Sequence, residues 1–183
     1  MNLVLIGYRG AGKSEAAQRA GELLRRAVVT MDRELERRFG CTISEYVAAH
    51  GWEAFRGEEA ALVRELSARD RLIIDTGGGV VEREENVAAL RANGRLIWLT
   101  ADPSVIAERL SGATDRPSLS GEQSFLEEIS EVLERRRPLY NAAADAIIDT
   151  DHREPYDIAR EVVSVWRALN EDAAPGAGSQ RNH

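Results

Sequence analysis

The 183-residue chain has a net charge of −7 and one cysteine, Cys41, which excludes an internal disulfide and a multi-cysteine metal site. The acidic balance, without any lysine-rich tract, argues against a nucleic-acid partner, because a phosphate backbone calls for a basic face. The apolar run at the N-terminus is too short for a signal peptide or a membrane span, so a reduced, cytoplasmic protein with no membrane partner is expected.

Leu3-Val4-Leu5-Ile6 is a continuous apolar run, the pattern of a strand buried on both faces. It leads into Gly7-Tyr8-Arg9-Gly10-Ala11-Gly12-Lys13-Ser14, which fits G-x-x-x-x-G-K-[ST], the phosphate-cradling P-loop. Ala16, Ala17, Ala20, Leu23 and Leu24 then recur at helical spacing. The loop therefore turns from a strand end into a helix start, where free N–H groups and the helix dipole converge on an anion. Gly7, Gly10 and Gly12 allow close approach of the backbone; Lys13 can reach the β/γ-phosphates, and the Ser14 hydroxyl can ligate Mg²⁺. Lys13 is the only lysine in a chain that otherwise uses arginine, which suggests that a compact ammonium is needed there.

Residues 27–30 read as a second strand ending at Met31-Asp32, and residues 33–38 continue as a helix to Gly40. Residues 42–47 form a short helix with a hydroxyl cap, and Gly51 opens a longer one with Phe55, Leu62, Val63 and Leu66 on its apolar side. Residues 71–75 are a third strand running into Thr76-Gly77-Gly78-Gly79. A helix over 86–92 stops at Gly94, residues 96–99 are a fourth strand, and Pro103 starts a helix bearing Val105, Ile106 and Leu110. From 111 to 124 the periodicity fails, giving a loop of lid length. Phe125, Ile129, Val132 and Leu133 restore a helix expected to end at Pro138-Leu139-Tyr140. Residues 146–149 are a fifth strand, Ile158, Val162, Val165 and Leu169 a closing amphipathic helix, and residues 170–183 a tail expected to be disordered. The alternation predicts a single α/β domain over residues 1–169 with a mostly parallel sheet.

A P-loop alone indicates a nucleoside triphosphate, not what is done with it. Asp32, at the carboxyl edge of the sheet, can orient an acceptor hydroxyl and take its proton, or can simply cap a helix. Gly77, Gly78 and Gly79 offer either a floor of N–H groups to a polar ligand or a flexible turn. Arg56 and Arg136 can clamp a carboxylate or lie solvated on the surface; Arg116, before Pro117, can close over transferring phosphates or be an ordinary loop residue.

In combination these pieces resemble the shikimate kinase family, small ATP-dependent kinases of the nucleoside-monophosphate-kinase-like P-loop fold. The resemblance spans about residues 1–150 and rests on the P-loop, Asp32, Gly51-Trp52-Glu53-Ala54-Phe55-Arg56, Thr76-Gly77-Gly78-Gly79, Arg116-Pro117 and Arg136-Arg137-Pro138-Leu139-Tyr140. It implies a three-layer fold with a five-stranded parallel sheet in the order 2-3-1-4-5 and a lid at about 111–124. It further implies transfer of the ATP γ-phosphate to the 3-hydroxyl of shikimate, a step of aromatic amino acid (chorismate) biosynthesis, with Mg²⁺ as cofactor and a monomeric enzyme. By the same resemblance Gly7, Gly10, Ala11, Gly12, Lys13, Ser14, Glu15 and Arg116 bind nucleotide, while Asp32, Arg56, Gly77, Gly78, Gly79 and Arg136 bind substrate. Lys13, Asp32 and Arg116 are the implied catalytic set.

Three positions depart from the family pattern. Its D-x-D at the end of the second strand is Thr30-Met31-Asp32 here, G-K-S-T is Gly12-Lys13-Ser14-Glu15, and Asp75 stands where a small residue is common. Asp75 is accordingly the candidate for the Mg²⁺-shell carboxylate that Thr30 cannot supply, the other reading being a strand-end aspartate bonded to backbone. Alternatives to shikimate phosphorylation are a kinase for another hydroxylated carboxylic acid and a kinase-derived sensor that binds without turnover.

Overall fold

The strands β1 (Asn2–Ile6), β2 (Val28–Thr30), β3 (Ile73–Asp75), β4 (Gly94–Thr100) and β5 (Ala146–Asp149) form one sheet in the order β2-β3-β1-β4-β5. Every pairing is parallel, and the order is the one expected. The structure, a computed structural model, describes residues 1–111 and 121–171. Residues 112–120, with Arg116, and residues 172–183 lie outside it, and with them most of the expected lid and tail.

Successive side chains of a strand point to opposite faces, so β1 feeds two cores. Leu3 and Leu5 pack with Ala16, Ala17 and Ala20 of α1 (Lys13–Leu24) and with Ile158 and Val162 of α7 (Pro155–Glu171). Val4 and Ile6 pack on the other face against α2 (Met31–Phe39), α3 (Ile43–Ser67), α4 (Glu84–Ala92) and α6 (Gly121–Ala143). Covering both faces is what permits the uninterrupted apolar strand sequence. A smaller cluster joins Tyr8, Val105 and Ile106 of α5 (Pro103–Ser111) to Ile129 and Leu133 of α6.

Several boundaries differ from the sequence reading. The helical stretches at 42–47 and from Gly51 run together as α3, which kinks where Gly51 leaves helical geometry (φ 85°, ψ 164°). The expected hydroxyl cap is present as a capping box: Thr42 Oγ1 accepts from the Glu45 N–H at 3.2 Å, and the Thr42 N–H donates to Glu45 Oε2 at 2.8 Å. Val80–Glu82 form a one-turn 3₁₀-helix that periodicity cannot reveal in so short a stretch.

Ser111 closes α5 and residues 121–124 open α6, so the interval between helices is shorter than the predicted loop. Asn170 and Glu171 complete α7 rather than starting the tail. Pro138 does not end α6, which runs on to Ala143. A helix-interior proline costs about 3 kcal/mol, and complete burial of Tyr140 together with near-complete burial of Ala143 beyond it offsets that cost.

Candidate active site

The P-loop leaves β1 through Gly7, whose φ of 140° and close approach to the Leu99 carbonyl leave no room for a Cβ. The loop ends at Gly12, the N-cap of α1, so Lys13 and Ser14 stand in the first turn of that helix. Lys13 is 7% exposed, and its Nζ donates to the Tyr8 carbonyl at 3.1 Å. Ser14 Oγ donates to Asp75 Oδ2 at 2.6 Å.

Asp75 ends β3, whose register sets it opposite Leu5 of β1 on one side and Thr30 of β2 on the other. The carboxylate missing from position 30 thus has a counterpart on the adjacent strand at the same level of the sheet. Asp75 is thus bonded to the Ser14 hydroxyl, the group expected to ligate Mg²⁺. Glu15 also borders the cleft, but its carboxylate is held by Arg19 one helical turn on, at 3.1 Å.

Asp32 lies in the first turn of α2 and is not its cap; Thr30 is the N-cap residue and makes no side-chain cap bond. Freed from capping, Asp32 faces the glycine turn. A methyl group built on Gly77 would stand 2.9 Å from Asp32 Oδ1 and 3.0 Å from Glu59 Oε1. Burial pushes the Asp32 carboxyl above the ordinary carboxylate range, with Lys13 pulling it back, while Asp75 and Glu36 add to the rise. Burial likewise lowers the Lys13 ammonium, and Asp75 and Asp32 oppose that. Each charge is costly alone and is retained because its opposite is beside it.

The turn at 76–79 is anchored to β1 by the Thr76 hydroxyl, which donates to the Leu5 carbonyl at 2.9 Å. Gly78 lies beside the P-loop, where a Cβ would be 3.5 Å from the Gly7 carbonyl oxygen and 3.6 Å from Arg136 Nη1. At Gly79 a Cβ would run into the Arg56 guanidinium. A side chain at Gly77 or Gly79 would therefore displace the Asp32, Glu59 or Arg56 side-chain ends, whereas at Gly78 a Cβ would make only ordinary van der Waals contacts. Arg56 donates from Nη1 to Glu59 Oε2 at 2.8 Å and from Nη2 to Glu82 Oε2 at 3.1 Å. Arg136 Nε donates to Glu82 Oε1 at 2.9 Å, bringing both arginines to one spot. Tyr140, stacked on Trp98 at 5.5 Å, donates its hydroxyl to the Gly78 carbonyl at 2.5 Å.

A cleft of about 600 Å³ runs from Thr30, Asp32 and Asp75 past Lys13 to Arg109 and Pro155. Arg109 ties the P-loop to the end of β5, donating to the Gly10 carbonyl at 3.2 Å and to the Thr150 carbonyl at 2.7 Å. The site thus joins Lys13, Ser14, Asp32, Asp75, Arg56, the three glycines and Arg136; Arg116 lies outside the described residues.

The sequence profile of the shikimate kinase family matches residues 9–167. Curated shikimate kinases from Pelotomaculum thermopropionicum and Desulforudis audaxviator are each 42% identical to it, covering 78% and 97% of this chain and 82% and 91% of their own. The chain belongs to the shikimate kinase family. A solved shikimate kinase from Acinetobacter baumannii in complex with shikimate superposes with a TM-score of 0.84 at 28% identity, covering 95% of both chains. Family membership makes the protein an ATP-dependent phosphotransferase. Among the described residues, no helix is long and apolar enough to cross a membrane.

Three contributors escaped the sequence reading. Glu59, 1% exposed, sits three residues after Arg56 on α3, a spacing that marks a helical ion pair and could have been read. Glu82 and Arg109 carry no such local signal, since their partners lie on other elements.

Proposed function

We propose that the chain phosphorylates the 3-hydroxyl of shikimate with ATP, releasing shikimate 3-phosphate and ADP. The observation that carries this reading is the pair of half-buried guanidinia, Arg56 and Arg136, gathered beside Gly78 and Gly79, across a bare glycine turn from Asp32 and the P-loop. Two arginines at one spot suit a carboxylate, held bidentately or from both sides. With the acid group held there, a ring hydroxyl can reach Asp32, and Lys13 stands on the opposite side with the triphosphate.

Asp32 orients the hydroxyl and accepts its proton as the oxygen attacks the γ-phosphorus; the bond from that phosphorus to the bridging oxygen breaks, leaving ADP. Lys13 and the P-loop N–H groups balance charge on the phosphoryl oxygens, the role that the family resemblance also implies for Arg116. The arginine surface of Arg109 and the apolar faces of Pro155 and Ile158 suit the flat base at the far end of the cleft.

The donor set is compatible with Mg²⁺. Among the described residues no group of three or more acidic, His or Cys side chains could cage a metal. Mg²⁺ commonly needs only one or two protein oxygens beside phosphates and water, and Ser14 with Asp75 provides them. Held by Ser14 and Asp75, it would neutralise negative charge on the transferring phosphates. Replacing Asp75 with Asn should therefore raise the Mg²⁺ concentration needed for half-maximal rate by about tenfold or more, and should blunt the Mg²⁺-dependent tightening of ADP binding seen by calorimetry. Unchanged Mg²⁺ titrations in both assays would remove Asp75 from the metal shell.

The reading is tested by coupled ADP release with ATP and Mg²⁺. Release that depends on added shikimate is expected. Release with a different hydroxylated acid and not with shikimate would redirect the assignment to that acid.

A further inference from the structure

Glu82 does something the proposed reaction does not require. Its two carboxylate oxygens are shared between the clamp arginines, Oε2 taking Arg56 at 3.1 Å and Oε1 taking Arg136 at 2.9 Å. This is the bridging position that the carboxylate of a bound acid would need. The two acids around Arg56 are not equivalent. Glu59 is 1% exposed on the middle of α3 and is a fixed support. Glu82 is 28% exposed and ends the one-turn 3₁₀-helix, so its side chain has a path to solvent. On that side stands Arg135, 67% exposed, with Nη2 already 3.4 Å from Glu82 Oε1. Partial burial pushes the Glu82 carboxyl up, but the bond from Arg136 and the charges of Arg136, Arg56 and Arg135 outweigh it and hold it below the ordinary range.

We propose that Glu82 is an internal stand-in for the substrate's carboxylate: it closes the Arg56–Arg136 clamp in the substrate-free enzyme, swings out towards Arg135 when the acid binds, and so sets the affinity for that acid. This rests on the reading of Arg56 and Arg136 as the carboxylate site. An acid that must displace Glu82 binds with its intrinsic affinity reduced by the fraction of time the clamp stands open. In return, Arg56, Arg136 and Arg135 do not depend on Glu59 alone for counter-charge while the site is empty.

The test is calorimetric titration of shikimate into the wild-type chain and into Glu82→Gln and Glu82→Asp, at one ionic strength and without nucleotide. The amide lacks the charge, and the aspartate is one methylene too short to span both arginines. Both variants should bind shikimate roughly five- to tenfold more tightly. The uncharged methyl ester of shikimate should gain nothing, and ADP affinity should stay within about twofold. A residue that merely oriented the arginines would give the opposite sign, weaker shikimate binding in both variants. Binding to wild type with no tightening in either variant overturns the stand-in role and leaves the carboxylate site intact. Binding to the variants but not to wild type supports the stand-in role in its strongest form. Absence of binding to all three chains overturns this inference together with the shikimate assignment.

Discussion

Lys13→Met should lower shikimate-dependent ADP release by roughly three orders of magnitude, the scale on which a preorganised charge on transferring phosphates acts. Lys13 is the only lysine, it is 7% exposed, and its Nζ rests against the Tyr8 carbonyl within the P-loop itself. Methionine fills a similar volume, but loss of the ammonium leaves Asp32 and Asp75 without their neighbouring positive charge, so the variant should stay folded yet melt below wild type. Lys13→Arg retains the charge, yet a planar guanidinium is wider than an ammonium and has no room under the loop, so it should fail nearly as badly. Steady-state rates, read beside melting curves of the three proteins, decide the matter. An arginine variant close to wild type would show that charge alone is needed and that the compactness of lysine is not.

Asp32→Asn should cost about two to four orders of magnitude in kcat/KM, the usual contribution of a positioned base. The loss should come with a changed pH profile. Burial raises the Asp32 carboxyl above its ordinary value of 3.8, and catalysis needs the deprotonated form. Activity of the wild-type enzyme should therefore fall on acidification at a pH above that of an ordinary aspartate, and the residual activity of the Asn variant should lack this limb.

The same shift makes a statement about stability. A carboxyl whose folded-state pKa is raised takes up protons more readily when folded than when unfolded. Its contribution to stability is therefore lost as pH rises from the unfolded towards the folded value, and the deficit is complete above it. At neutral pH Asp32 is a stability cost borne for function, and Asp32→Asn should melt at the same temperature as wild type or higher. A lower melting temperature would mean that attraction to Lys13 outweighs burial, and that Asp32 is mainly a structural counter-ion.

The nucleotide half of the site was legible because its chemistry is local. A buried strand, a glycine turn and a helix start follow one another without interruption from Leu3 to Leu24, and that order is itself the phosphate cradle. The five strands and the hydroxyl cap at Thr42 were legible for the same reason, each depending on residues within a turn or a short run. Arg56, Arg136 and the glycine turn were singled out from their own patterns, which left solvated arginines and a flexible turn open, and only the family resemblance implied a role for them.

Only the tertiary structure decided which of these residues meet. Ser14 finds Asp75 across 61 residues because two crossovers lay β3 directly beside β1, and the register that sets Thr30 opposite Asp75 is a property of the sheet, not of either strand. Glu82 reaches Arg56 across 26 residues and Arg136 across 54, through a 3₁₀ turn too short to leave a periodic trace. Pro138 reads locally as a helix end, and burial of Tyr140 against Trp98 overrides it. Local sequence determined the elements and the phosphate loop, since backbone geometry and hydrogen bonding over a few residues suffice for them. Packing determined the convergence of Arg56 and Arg136, the pairing of Ser14 with Asp75 and the place of Glu82, since those depend on how distant elements are pressed together by the two hydrophobic faces of the sheet.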